Sequence, residues 1–277
     1  MPHRNGIFII PNERNVYSSQ ESDIYKVEYK NMTSKNPQNN AVEENIRQIV
    51  ETRGWHVALF EATDYQPSFG YTIGLWKNYR HPELICFGLS SEALHSILNI
   101  GGELVKANSA LKPNTESDVF FNSPASILQV HPENIPDYLG YAIWFNKGDF
   151  PVLQIVWQDK DGAFPWQEGF SEELLHYQPL LDRNMHFKFR EPESLAVFTS
   201  RNHLENGKPI LYVLHDAEGD WQVLTGDDVT TDDAKIICLG DMIKQDPSLN
   251  DLFNLDNGEF AKRETIHSKW GRDKVKP

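Results

Sequence analysis

Apolar and polar positions change period along the chain, and each change marks an element. Residues 23–30 alternate Tyr25, Val27 and Tyr29 with Lys26, Glu28 and Lys30, the period of a half-buried strand, and a short apolar run covers residues 6–10. Val42, Ile46, Ile49 and Val50 share one helical face after an Asn40 and Glu43 capping signal, and Gly54 ends that helix. Strands are expected at residues 55–61, 69–75 and 82–89. A helix from Ser91 follows, with Leu94, Ile97, Leu98, Leu104 and Val105 on its face and Gly101-Gly102 weakening its middle. After the polar loop at Lys112-Pro113-Asn114, strands are expected at residues 125–130, 141–145 and 152–158, the last closed by an Asp159-Lys160-Asp161-Gly162 turn.

Residues 171–192 carry His176, Pro179, Asp182 and Pro192 with no clear period. Beyond them, strands at residues 195–200, 209–215, 221–224 and 235–239 are joined by turn signals at Asn206-Gly207 and Glu218-Gly219-Asp220, and two short helices follow near 241–244 and 248–253. The pattern reads as α+β: two domains, each a mainly antiparallel sheet with a few packed helices. Residues 1–40 form an N-terminal arm, 41–175 the first domain, 176–192 a linker and 193–277 the second domain. A chain of 277 residues is long enough for two such cores.

Twenty-six basic against forty acidic side chains give a net charge of −14. That charge repels nucleic acid and anionic lipid, so neither is an expected direct partner, whereas a basic protein surface is. The apolar run before Pro11 is too short for a signal segment or a membrane span, and the reading is cytoplasmic. Cys86 and Cys238, the only cysteines, each sit in an apolar run that reads as a buried strand, as packing thiols do in a reducing compartment.

Ten histidines occur without His-x-His, His-Glu-x-x-His or Cys-x-x-Cys spacing, so no metal and no cofactor is expected. Gly70, Gly74 and Gly88 match no phosphate-binding spacing and read as structural glycines. His81-Pro82-Glu83 and His131-Pro132-Glu133 repeat one triplet, read as exposed loop histidines before a turn or strand start. Trp157, Phe164, Pro165 and Trp166 form an aromatic cluster around a turn that packs on a sheet or offers a ligand platform. If the first domain has a polar site, its candidates are Tyr71, Thr72, Glu83, Gln154 and Asp159, because a carboxylate beside a hydroxyl can do acid–base work. In the second domain, Asp216, Glu218, Asp220, Asp227, Asp228, Asp232 and Asp233 occur with no Lys or Arg among them, interleaved with Trp221. An acidic face with an aromatic anchor would fit a basic cleft, while solvated turn residues and a core tryptophan are the plainer alternative.

Phe69-Gly70-Tyr71-Thr72-Ile73-Gly74-Leu75, Pro82-Glu83-Leu84-Ile85, the Leu153 to Asp159 run and Gly162-Ala163-Phe164-Pro165-Trp166 resemble the signature of domain-of-unknown-function family 4262 across residues 43–170. That resemblance names a module and implies no activity. Ala196-Val197-Phe198-Thr199-Ser200-Arg201, the Pro209 to Val213 run, the Asp216 to Trp221 turn, Asp246-Pro247-Ser248-Leu249 and Trp270 resemble immunity-protein family thirty-three, formerly domain-of-unknown-function family 2185. The second resemblance implies a bacterial immunity protein. Such a protein binds a cognate polymorphic or contact-delivered toxin, for example a type VI secreted one, and occludes its active site without catalysis. An enzyme in the first domain with an accessory second domain, or a general protein-interaction adaptor, remain the alternatives.

Overall fold

A computed structural model of the chain describes residues 37–183, 186–228 and 230–275; the strands expected at residues 6–10 and 23–30 lie outside these. The described residues form two compact units, 37–183 and 186–275.

The N-terminal unit opens with α1 (Pro37–Arg53) and continues β1 (His56–Phe60), β2 (Phe69–Ile73), α2 (Leu75–Tyr79), β3 (Glu83–Phe87) and α3 (Ser91–Lys106). Then come β4 (Thr115–Ser117), β5 (Ala125–Gln129), α4 (Ile135–Tyr138), α5 (Gly140–Asn146) and β6 (Val152–Val156), with short stretches of 3-10 helix at Pro132–Asn134 and Glu172–Tyr177. Its six strands lie in the order β1-β2-β3-β6-β5-β4. All neighbours are antiparallel except β3 and β6, which run parallel with Ile85 opposite Gln154. The parallel step needs a long crossover, which α3, β4, β5, α4 and α5 supply.

Strand alternation sends Val57, Leu84, Cys86, Ile127, Leu153 and Ile155 to the face beneath α3. There they meet Leu94, Ile97, Leu98 and Val105, each worth roughly 1.5 to 3 kcal/mol of burial. The opposite face is aromatic: Phe69 stacks between Phe60 and Phe87 at 4.6 and 5.6 Å, and Tyr138 of α4 stands edge-on to Phe69 and Phe87. With both faces covered, β2, β3 and β6 are buried along their whole length, which is why these runs show little alternation in sequence.

The C-terminal unit contains β7 (Ala196–Ser200), α6 (Arg201–Leu204), β8 (Tyr212–His215), β9 (Trp221–Leu224), β10 (Ala234–Cys238), α7 (Leu239–Gln245), β11 (Glu259–Lys262) and β12 (Gly271–Lys274), with a 3-10 helix at Pro247–Leu252. Its sheet runs β10-β7-β9-β8-β11-β12, with β7 and β9 parallel and the other neighbours antiparallel. Val197, Val213, Trp221, Val223 and Ala261 are buried in this unit together with Leu239, Met242 and Ile243 of α7 and Leu249 and Leu252. The fold is thus α+β with two mainly antiparallel sheets.

Several local expectations change. Residues 141–145 form α5 and not a strand: five consecutive apolar residues carry no period of their own, and Tyr141 N–H docks on the Tyr71 hydroxyl at 3.2 Å. Gly101-Gly102 does not weaken α3, because a Cβ at Gly102 would lie 2.2 Å from the Trp55 ring and one at Gly101 2.4 Å from Leu84. The glycines let the helix approach the sheet closely. His81 is buried and not exposed, its ring bonded to Pro82 and Leu111 backbone atoms. Helix α1 begins before Asn40, which lies inside it rather than capping it. Cys86 is buried, and burial pushes its thiol up to about 12, but Cys238 is exposed because β10 is the last strand of its sheet among the described residues. Within residues 176–192, Gln178 and Leu181 are buried in the N-terminal unit and Phe189 in the C-terminal one.

Candidate functional site

The N-terminal polar set converges in part. Glu83, at the start of β3, is fully buried and its two oxygens meet only donors. Oε1 accepts from Gly74 N–H at 2.8 Å, Trp76 N–H at 3.3 Å and the Asn146 amide at 3.4 Å; Oε2 accepts from the Thr72 hydroxyl at 2.8 Å and Leu75 N–H at 3.2 Å. Gly74, Leu75 and Trp76 form the first turn of α2, whose N–H groups have no partner within the helix, so the carboxylate supplies the acceptors that the backbone lacks. Thr72 relays the network by accepting from Leu84 N–H at 2.8 Å. Gly74 makes the turn possible: its φ is +112°, and a Cβ there would strike Val50 at 2.7 Å. Burial pushes the Glu83 pKa above its ordinary value, opposed by the bonds from Thr72, Gly74, Trp76 and Asn146.

Tyr71 and Gln154 lie on one row of the sheet, with Ile85 between them. They are not brought to Glu83 as a cluster. Gln154 donates to Pro179 C=O at 2.8 Å and accepts from Leu181 N–H at 2.9 Å, which pins the returning chain across β6. Asp159 closes its turn by accepting from Asp161, Ala163 and Ser171 N–H groups at 2.9 to 3.0 Å, and these bonds, led by Ala163, hold its pKa below the usual carboxylate value. Gln178, which sequence reasoning missed, both accepts from and donates to the Trp157 backbone at 2.9 Å. In the aromatic cluster, Phe164 is buried, Trp157 Nε1 donates to Phe87 C=O at 2.9 Å, and exposed Trp166 stacks on Phe164 at 4.9 Å. These groups position backbone.

Residues 49–171 match the family described as Domain of unknown function (DUF4262). No curated protein and no solved structure matches the chain. The DUF4262 segment contains Tyr71, Thr72, Glu83, Gln154 and Asp159, and also Gly74, Gly102 and Trp55, whose close approaches shape the sheet and its helices. Among the described residues, no group of three His, Cys, Asp or Glu is placed to hold a metal. No helix there is long and apolar enough to cross a membrane.

In the C-terminal unit the acidic run is split by β9. Asp216, Glu218 and Asp220 lie at the turn before it, where Asp216 accepts from the Glu218 and Asp220 N–H groups at 3.1 and 2.8 Å. Asp227, Asp228, Asp232 and Asp233 follow its far end, roughly 10 Å along the strand from the first group. Trp221 is not an exposed anchor: it is 1% exposed, lies flat on His215 at 4.1 Å, meets Phe189 edge-on and donates to Glu191 at 3.2 Å. A strand residue on the covered face goes to the core whatever its neighbours' charge. Asp227 accepts from Lys208 at 2.9 Å, Thr225 and Asn202, and its pKa is lowered by Lys208 first. Asp233 accepts from Thr230 at 2.7 Å beside Arg201, and its pKa is lowered by that hydroxyl first. Asp228, Asp232 and Glu218 are exposed.

The quoted C-terminal motifs Asp246-Pro247-Ser248-Leu249 and Trp270 meet at Arg263. Its side chain is buried, pairs with Asp246, bonds Ser248 Oγ at 2.7 Å and Ile210 C=O at 2.9 Å, and lies 4.1 Å from the Trp270 ring. A guanidinium saturated this way clamps three segments together, so these motif residues build architecture.

Proposed function

We propose that the chain is a binding protein of the immunity type, cytoplasmic, which neutralises a cognate protein toxin by covering its active site. The supporting observation is the exposed acidic set after β9, Asp228 and Asp232 with Asp227 and Asp233 beside them, on a chain of net charge −14. Such a surface steers a basic protein and repels nucleic acid and anionic lipid. Part of the same proposal is that residues 193–277 form a module of immunity-protein family thirty-three, on the motifs at Ala196 to Arg201, Asp246 to Leu249 and Trp270. In the first domain, the groups that would have served an enzyme are engaged: Glu83, Gln154 and Asp159 each bond main-chain N–H groups. Occlusion needs a broad face of about 800 Å² per partner rather than a deep pocket.

The test is capture of partners on the tagged full chain from its native host under toxin-producing conditions, through a salt wash, followed by assay of the captured toxin. The expected result is a near-stoichiometric toxin-domain protein whose activity falls as one equivalent of the chain is added. A toxin domain that is expressed but not retained, or whose activity is unchanged by excess chain, overturns the proposal.

A further inference from the structure

We infer that the outer edge of β10 is a strand-docking site for an extended basic segment of the protein partner. This inference rests on the binding reading above and names where and how the partner is held. β10 pairs with β7 antiparallel and is the last strand of its sheet among the described residues. Leu239 N–H donates to Leu195 C=O at 2.8 Å, directly opposite in the same register, so odd-numbered residues turn their backbone groups toward β7 and even-numbered ones turn outward. Ala234 N–H is taken by Thr231 C=O at the end of the preceding turn. Cys238 C=O lies at the start of α7, where it accepts the first helical bond. Among the described residues, the Ala234 C=O, the Ile236 N–H and C=O and the Cys238 N–H are left along the edge, the four groups that an added strand pairs with.

The side chains agree with the backbone. Ile236 is 65% exposed, Cys238 and Ala196 are exposed, and Phe198, opposite Ile236, is partly exposed on the same face. An exposed β-branched residue on an open edge is what soluble proteins ordinarily avoid, since it templates pairing with another chain. Lys235, the charged residue of this strand, alternates to the other face and is held by Glu205 at 3.3 Å, so it does not guard the outward row.

Charge selects the occupant. Asp228 and Asp232 are exposed just before the strand, so an incoming strand with an apolar residue against Ile236 and lysine or arginine toward that end is matched there, while Asp241, just after the strand, is shared with Lys244 at 3.1 Å. A second copy is disfavoured: antiparallel self-pairing about Ile236 sets Asp232 of one copy opposite Gly240 of the other, next to Asp241.

The experiment uses the full chain and a blocked ten-residue peptide of alternating valine and lysine. Controls are the peptide with glutamate for lysine and the peptide with alternate amides methylated. Expected are saturable binding of the basic peptide, slowed amide exchange at Ile236 and Cys238, and loss of binding with either control. The Ile236→Pro chain removes an outward N–H that the native ladder does not use, which edge strands tolerate. It should retain the wild-type unfolding midpoint and bind the peptide roughly tenfold more weakly or worse. Unchanged exchange at Ile236 and Cys238 under saturating peptide, or equal binding by Ile236→Pro, overturns the inference. So does a dimer of the chain that Ile236→Pro dissolves, which would assign the edge to a second copy. Toxin retained equally by Ile236→Pro and wild type refutes the edge while leaving the proposed function standing. Peptide binding at the edge with no toxin retained refutes the proposed function alone.

Discussion

Two sets of carboxylates, one in each unit, do opposite things. In the N-terminal unit, Glu83 and Asp159 are buried and turned toward main-chain N–H groups, so their charge is spent on holding α2 and the 159–171 turn in place. In the C-terminal unit, Asp227 and Asp233 sit at the surface with side-chain partners, and Asp228 and Asp232 face solvent. The same side chain is architecture where burial denies the backbone any other acceptor, and field where water is available to replace any lost bond. Substitution of Glu83 or Asp159 should therefore cost stability, and substitution of the acids after β9 recognition.

The largest expected effect is at Glu83. Glu83→Ala strands the Thr72 hydroxyl and three backbone N–H groups in a site closed to water, and should destabilise the N-terminal unit by about 3 to 5 kcal/mol, read as a shifted denaturant midpoint. Glu83→Gln keeps one acceptor and turns an amide toward those donors, so it should fall between alanine and wild type. Equal stability of all three chains would dissolve the contrast between the units.

Asp159 comes next. Asp159→Ala removes the acceptor for three N–H groups of a turn whose residues Asp161 and Gly162 are exposed, where water can partly substitute, so a smaller midpoint shift than that of Glu83→Ala is expected.

Acid titration sharpens the same comparison through sign. Burial, with His95 nearby, lowers the His56 pKa to about 4, so the native ring resists protonation that the unfolded chain accepts from about pH 6.5 down. Its contribution is present above that value and is lost as pH falls toward about 4; His56→Gln should flatten this part of a midpoint-against-pH curve. Asp159, with its pKa lowered, contributes above the unfolded carboxylate value and loses that contribution as pH falls further, so Asp159→Asn should flatten the more acid limb. Glu83 runs the other way, since its pKa is raised: its contribution is fully present below the unfolded value and lost as pH rises through the folded one.

How much of this is legible in the sequence follows from range. Thr72 and Glu83 are legible as a hydroxyl and a carboxylate in neighbouring apolar runs, but their contact is not, because α2 lies between the two strands and no local pattern shows that Glu83 turns back to cap it. Gln154 and Asp159 are legible as polar residues in apolar surroundings, but their partners at Pro179, Leu181 and Ser171 lie in a stretch without periodicity, so their structural use is not. Hydrophobicity alone reports that Ile236-Ile237-Cys238 belongs to a strand and not that the strand is the last of its sheet among the described residues, which is decided by a parallel pairing of β7 with β9 that no local signal encodes. The acidic run looks like one patch in one dimension and becomes two groups because Trp221 to Leu224 extends between them.

The smallest stability effect and the clearest recognition effect should come from the acids after β9. Replacing Asp227, Asp228, Asp232 and Asp233 together by lysine removes the Lys208 and Arg201 pairings, but exposed pairs contribute about 0 to 1 kcal/mol, so the unfolding midpoint should move little. Association with the captured partner should slow and lose much of its salt dependence, because steering scales with the field that these groups set up over a Debye length of about 8 Å in physiological salt. The matched replacement of Glu218 and Asp220, at the other end of β9, is the control that decides what the split means; Asp216 is kept because it holds the turn through the Glu218 and Asp220 N–H groups. If only the first set matters, recognition is centred at the end where β10 begins, as docking on its edge requires. If the two sets matter equally, the partner reads the charge of the whole unit, and the division of the acidic run into two groups has no consequence for binding.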